Sequence, residues 1–157
     1  MSWWRRLTGG SPRRETQRQR VDYLSEALAL ERVGDYDGAL TSYRLALRTQ
    51  PNDPRILVNM AIAFSRIGQE DEAVRAYKRA LSVDPALPGA HYGLAFLLLR
   101  RGETTDAAFH LESFLMQPPR SPEAERWIAH ARESLDKLRS DGGEPAAEAE
   151  PLPEDQQ

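Results

Sequence analysis

Apolar positions recur along this chain with two nested periods. Over short distances they fall three and four residues apart, as Leu57, Met60, Ala61 and Phe64 do, which is the stripe of an amphipathic helix. Over longer distances the whole pattern returns every 34 residues. Setting 20–53, 54–87 and 88–121 side by side aligns Ala27, Ala61 and Ala95, then Leu30, Phe64 and Leu98, then Gly34, Gly68 and Gly102. Further along, Ala39, Ala73 and Ala107 coincide, as do Tyr43, Tyr77 and Leu111, and Pro51, Pro85 and Pro119. Each copy predicts two helices. The Gly column ends the first, because Gly tolerates the left-handed backbone common at a helix C-terminus. Pro54, Pro88 and Pro122 open the next first helix, where a missing N–H costs nothing. Asp53 and Ser121 are the predicted N-caps of two of these helices, whereas Leu87 offers no capping oxygen. A seventh helix is predicted over 122–139, with Trp127, Ile128, Ala131, Leu135 and Leu138 as its apolar stripe, core packing of Trp127 ranking ahead of a role as a partner anchor.

A fixed period of this length marks a solenoid, in which each unit buries its apolar face only against its neighbours. The Ala columns let paired helices approach closely. The spacing resembles the tetratricopeptide repeat family. The run Gly34-Asp35-Tyr36-Asp37-Gly38-Ala39-Leu40 looks like the turn between that family's two helices, and Tyr43, Ala46 and Pro51 follow at its aromatic, small and Pro positions. The second copy is closest, with Ala61, Phe64, Gly68, Ala73, Tyr77, Ala80 and Pro85 all in place. The resemblance implies an all-α, right-handed solenoid of three helix pairs over 20–139, closed by a C-terminal capping helix. Three departures stand out. Glu26 replaces Met60 and Leu94, which predicts a more exposed first helix in the first copy. His91 stands where Tyr23 and Leu57 are, and reads as a packed imidazole. Phe114 replaces Ala46 and Ala80, which predicts a swollen second helix in the third copy.

The formal net charge of −3 conceals an uneven layout. The segment 1–20 carries +5, 21–140 carries −2, and 141–157 carries −6. A nearly neutral repeat region argues against nucleic acid as a partner. The acidic end, 140–157, has little to bury and is expected to be disordered, leaving the repeat surface accessible. The basic extension 1–19 is expected to be mostly disordered or a short helix. Within it Trp3 and Trp4 beside Arg5 and Arg6 suit a membrane interface. One short segment does not anchor stably, so a free tail or a helix packed on the first repeat ranks ahead. No apolar stretch reaches the roughly 18 residues of a spanning helix, no apolar leader is visible, and there is no Cys. These features fit a cytoplasmic protein.

Nothing in the sequence reads as an active site. His91, His110 and His130 fall on three different helices without metal-ligand spacing, and no nucleophile or phosphate-loop motif appears. The expectation is a non-enzyme without cofactor or metal. The resemblance implies a binding surface instead, because the first helices of that family line a concave groove. By register the groove holds Leu24 and Leu28 from the first copy, Val58, Asn59, Ile62 and Arg66 from the second, and Tyr92, Phe96 and Arg100 from the third. Six of these are apolar in addition to the core stripe, so the first helices are apolar on two faces. Arg32, Arg66, Arg100 and Arg101 run beside them. That pattern suits a peptide or helix with aliphatic or aromatic anchors and acidic neighbours. The alternative is a structural or self-associating subunit, a homodimer for example, or part of a larger and membrane-adjacent assembly. The family's carboxylate-clamp subtype is rejected. Its positions fall on Leu24, Leu28, Asn59, Gly89 and Gly93, and only Asn59 has a polar side chain.

Overall fold

The computed structural model describes residues 22–142, and their regular structure is entirely helical. In chain order the helices are α1 (Tyr23–Arg32), α2 (Tyr36–Thr49), α3 (Pro54–Arg66), α4 (Glu70–Val83), α5 (Pro88–Arg100), α6 (Thr104–Met116) and α7 (Ala124–Asp141). They form sequential hairpins, α1 with α2, α3 with α4 and α5 with α6, each stacked on the next through α2–α3 and α4–α5. α7 packs on α6 and closes the stack. The extension 1–19 and most of the acidic end lie outside the described residues. Ser140 and Asp141, assigned from sequence to the disordered tail, are helical and complete the last turn of α7.

The repeat columns become the helix contacts. Ala27, Ala61, Ala95, Ala39, Ala73 and Ala107 have no solvent exposure. At such sites one Cβ sets how near two helices come, and a larger group has nowhere to go. Ala61→Leu is therefore expected to destabilise the protein by about 1–3 kcal/mol through overpacking. A urea unfolding midpoint unchanged by the substitution would contradict that contact.

Each hairpin turn rests on glycine. Gly34, Gly68 and Gly102 have φ of +80°, +78° and +75°, the left-handed region. A Cβ on Gly68 would meet nothing within 4 Å, so substitution there costs backbone strain alone. Gly68→Ala is expected to cost about 1–2 kcal/mol, the penalty of holding an L-residue left-handed. The check is a thermal melt, and a higher melting temperature would show that the turn does not need glycine.

The helix starts differ as their first residues do. Asp53 caps α3, its carboxylate accepting from the backbone N–H of Arg55 at 2.9 Å. Leu87 precedes α5 with no side-chain cap. Ser121 does not cap a helix opening at Pro122. Its carbonyl accepts from the N–H of Ala124 in a tight turn, and α7 begins at Ala124. Glu26 is exposed, although Met60 and Leu94 are buried at the equivalent positions of α3 and α5, so the first copy has the more exposed first helix.

Two hydrophobic cores result. The larger runs from Ala27 to Ala107 through the three hairpins, with Tyr43, Ile56, Phe64, Tyr77, Leu94 and Leu98 as its bulk. The smaller joins α5, α6 and α7 through Ala95, Leu111, Phe114, Ala131 and Leu135. Phe114 is 1% exposed. It does not swell α6 outward. It fills the gap between the third hairpin and the capping helix, where the earlier junctions need only Ala46 and Ala80.

Candidate peptide-binding groove

The first helix of each hairpin is asked to bury one face and present another. α3 shows how. Ile56, Leu57, Met60, Ala61, Ala63 and Phe64 go into the core, while Val58, Asn59 and Ile62 lie about a quarter-turn or more away. α3 and α5 also touch each other directly, whereas neither α2 with α4 nor α4 with α6 packs to that extent. That contact sets α3 and α5 side by side, so the residues they leave exposed fall on neighbouring surfaces.

The residues that the register assigns to a groove keep some exposure, although Leu24, Leu28, Val58, Tyr92 and Phe96 each pack against the edge of a core. Leu24, Leu28, Val58, Asn59, Tyr92 and Phe96 are partly exposed, Ile62 is 37% exposed, and Arg66 and Arg100 are exposed. The floor is aliphatic along α1 and α3 and aromatic at α5. Beside it, Tyr43 donates its hydroxyl proton to Glu31 Oε2 at 2.7 Å, and burial followed by that carboxylate pushes the phenol well above its usual range. Tyr77 lies against the backbone of Gly93. A Cβ on Gly93 would fall 2.3 Å from the Tyr77 hydroxyl oxygen, and burial pushes that hydroxyl up to about 12. Gly93 therefore admits the Tyr77 ring, which any side chain there would displace.

α7 stands over the aromatic residues of α5 at the C-terminal end of the candidate groove. The Tyr92 hydroxyl hydrogen-bonds with His130 Nδ1 at 2.8 Å. The Phe96 ring stacks on the His130 imidazole, with centroids 4.5 Å apart and planes 5° from parallel. Tyr92 also packs on Phe96 at 4.7 Å, on Phe114 at 5.2 Å and on Trp127 at 6.4 Å. Trp127 is not the core residue its place in the stripe predicts. It is 38% exposed, with the Arg126 guanidinium 5.5 Å above its ring. The buried stripe of α7 runs through Ile128, Ala131, Leu135 and Leu138, and Trp127 lies at its edge, four residues and about 40° from Ala131. Trp127 and His130 are three residues apart and share the face turned to Tyr92. That spacing was visible in the sequence, but nothing in the chain pattern said which face of α7 meets the groove.

The Arg row divides in two. Arg100 pairs with Glu70 at 3.0 Å, and Arg101 pairs with Asp71 at 2.8 Å and Glu103 at 2.6 Å. These two hold the end of α5 to the start of α4. Arg66 makes no ion pair among the described residues. The cation open to a ligand's acid is thus Arg66 more than Arg100.

Elsewhere the fold unites two histidines that the sequence left apart. His91, buried, has Nε2 2.7 Å from the Pro85 carbonyl oxygen and Nδ1 2.9 Å from Nδ1 of His110. Burial, and then His91, holds the His110 imidazole down at about 4, so it is neutral at pH 7. The pair lies in a pocket of about 510 Å³ between α4, α5 and α6, which also includes Leu81, Phe109, Ser113 and Met116. Among the described residues no group of three or more His, Cys, Asp or Glu is arranged to hold a metal ion.

Two family models match the chain. One, a TPR repeat, covers residues 66–102, and the other, a tetratricopeptide repeat, covers 20–63. Together they span just over half of the sequence. No curated protein matches it. Several solved structures share the fold. The type III secretion chaperone SycD of Yersinia enterocolitica, in complex with a peptide of the translocator YopD, is 20% identical with a TM-score of 0.72, covering 82% of this chain and 96% of SycD. PcrH in complex with the chaperone binding region of PopD is 17% identical with a TM-score of 0.70, covering 83% and 96%. The Sgt2 TPR domain from Aspergillus fumigatus is 21% identical with a TM-score of 0.64, covering 92% and 93%.

Proposed function

The chain belongs to the tetratricopeptide repeat family, and we propose that it is a non-catalytic, cofactor-free interaction module that binds a peptide or helical segment in the groove of its first helices. The observation that carries this reading is the second apolar face of those helices. Leu24, Leu28, Val58, Ile62, Tyr92 and Phe96 keep part of their surface in water although the core beside them is complete. A contiguous apolar strip with a cation beside it is expensive to leave bare and suits an extended or helical ligand with aliphatic or aromatic anchors. That SycD is seen with a peptide of the translocator YopD bound, and PcrH with the chaperone binding region of PopD, supports the reading by analogy of fold. Among the described residues no helix is long and apolar enough to cross a membrane, which fits a cytoplasmic adaptor.

The test starts from a random peptide library selected on the full chain. An enriched peptide should lose binding to Ile62→Glu, which puts a carboxylate on the floor without entering the core. Equal affinity for both proteins would place the ligand elsewhere.

A second reading is a self-associating or structural subunit. It is favoured by Phe109 and Met116, 61% and 80% exposed on the far side of the hairpins. Sedimentation equilibrium separates the two. A monomer up to high concentration favours peptide capture, and a dimer that persists on dilution favours the subunit.

A further inference from the structure

We propose that His91 and His110 form a two-imidazole site for a borderline divalent cation, with Cu²⁺ preferred. The site lies about 100–140° around α5 from Tyr92 and Phe96 and is independent of peptide binding. Its elements come from different helices and were joined by the fold. His91 comes from the first turn of α5 and His110 from the middle of α6.

The tautomer of His91 is set by its neighbour. A carbonyl oxygen only accepts, so the contact of Nε2 with the Pro85 carbonyl at 2.7 Å fixes the proton on Nε2. Nδ1 therefore carries a lone pair directed into the pocket. An imidazole held through its other N–H by a backbone carbonyl is the arrangement that orients metal-binding histidines and raises their basicity. His110 Nδ1–H now donates to that lone pair at 2.9 Å. His110 is only half-buried, so its proton can move to Nε2 through solvent and its ring can turn, giving two lone pairs on one side of the pocket. No net proton need leave.

The 2.9 Å between the two nitrogens is the length of their hydrogen bond and sets no coordination geometry, since the His110 ring turns before a metal is held. The preference comes from the donors: imidazole suits Zn, Cu and Ni, and Cu²⁺ stands at the top of the affinity order for nitrogen sites. The remaining positions are open to water and to the oxygen and sulfur atoms of Ser113, Met116 and Gln117, which line the same pocket.

The experiment titrates the full-length chain with CuCl₂ at pH 7.5, read by calorimetry and by the nitrogen hyperfine pattern in electron paramagnetic resonance. The expected result is one equivalent bound with two imidazole nitrogens coordinated. Affinity should fall at least about tenfold in His110→Gln and in His91→Gln, stay unchanged in His130→Gln, and be weaker for Zn²⁺. His110→Gln is the decisive variant, since its side chain is half-exposed and its fold can be verified by circular dichroism. Absence of a saturable one-equivalent site, or unchanged affinity in a folded His110→Gln protein, would overturn the proposal.

Discussion

Phe114→Ala is expected to destabilise the protein by about 3–5 kcal/mol, the range for removing a buried Phe side chain from a packed core. Phe114 is 1% exposed and belongs to the smaller core, whose other buried members are Ala95, Leu111, Ala131 and Leu135. Two of those four are already alanine, and Tyr92, whose ring lies 5.2 Å from Phe114, is tied to His130 by its hydroxyl, so collapse into the void is limited. The loss should fall on the docking of α7, because that core is what joins α7 to the third hairpin. A solenoid's terminal element has one neighbour, and its stability is set by that single interface. Urea unfolding is expected to show a lower midpoint together with early release of α7, seen as hydrogen exchange in 124–141 that outruns exchange in α3 and α4. A loss below about 1 kcal/mol would mean that the cavity is refilled and that Phe114 is not the spacer described above.

That residue also shows where the sequence was legible and where it was not. The period made the three hairpins readable, because identical columns must do identical work when each unit meets only its neighbours. The glycines at 34, 68 and 102 and the alanines at 27, 61 and 95 have the same backbone and burial from copy to copy. Junctions that break the period were harder. Phe114 read as a swelling of α6 because the neighbouring copies have alanine there, and only the position of α7 shows a gap to be filled. Trp127 stands at one edge of an apolar stripe about 100° wide, and the sequence did not say which edge would be left outside. The meeting of His91 with His110 across nineteen residues depends on the angle between α5 and α6, which no spacing rule supplies. Arg100 and Arg66 occupy equivalent positions, yet Glu70 claims Arg100.

The largest expected effect on binding is at Phe96. Phe96→Ala should cost about 2 kcal/mol or more of affinity for a groove ligand, the threshold of a binding hot spot. An aromatic ring offers much contact area for little rotamer entropy. Phe96 is also held in place before any ligand arrives, by Tyr92 at 4.7 Å and by the His130 imidazole at 4.5 Å. Pre-organisation of that kind lowers the ordering cost on binding. The stability cost should be smaller than at Phe114, since Phe96 is partly exposed and outside the fully buried set. Arg66→Ala should cost less affinity and act on the salt dependence of association, because an exposed charge at a rim works on encounter more than on release. A Phe96→Ala protein that melts like wild type and binds equally well would show that the aromatic wall is structural only.

The claim on which the account turns is that the first-helix face is where the partner sits. The most direct measurement is the dissociation constant of one selected peptide against four folded proteins: wild type, Ile62→Glu, Phe96→Ala and Phe109→Ala. The account predicts weakening of about thirtyfold or more for the two groove variants, the equivalent of 2 kcal/mol. It predicts wild-type affinity for Phe109→Ala, on the opposite side. Loss of binding in Phe109→Ala with full affinity in the two groove variants would contradict it and move the interface to the far side of the hairpins.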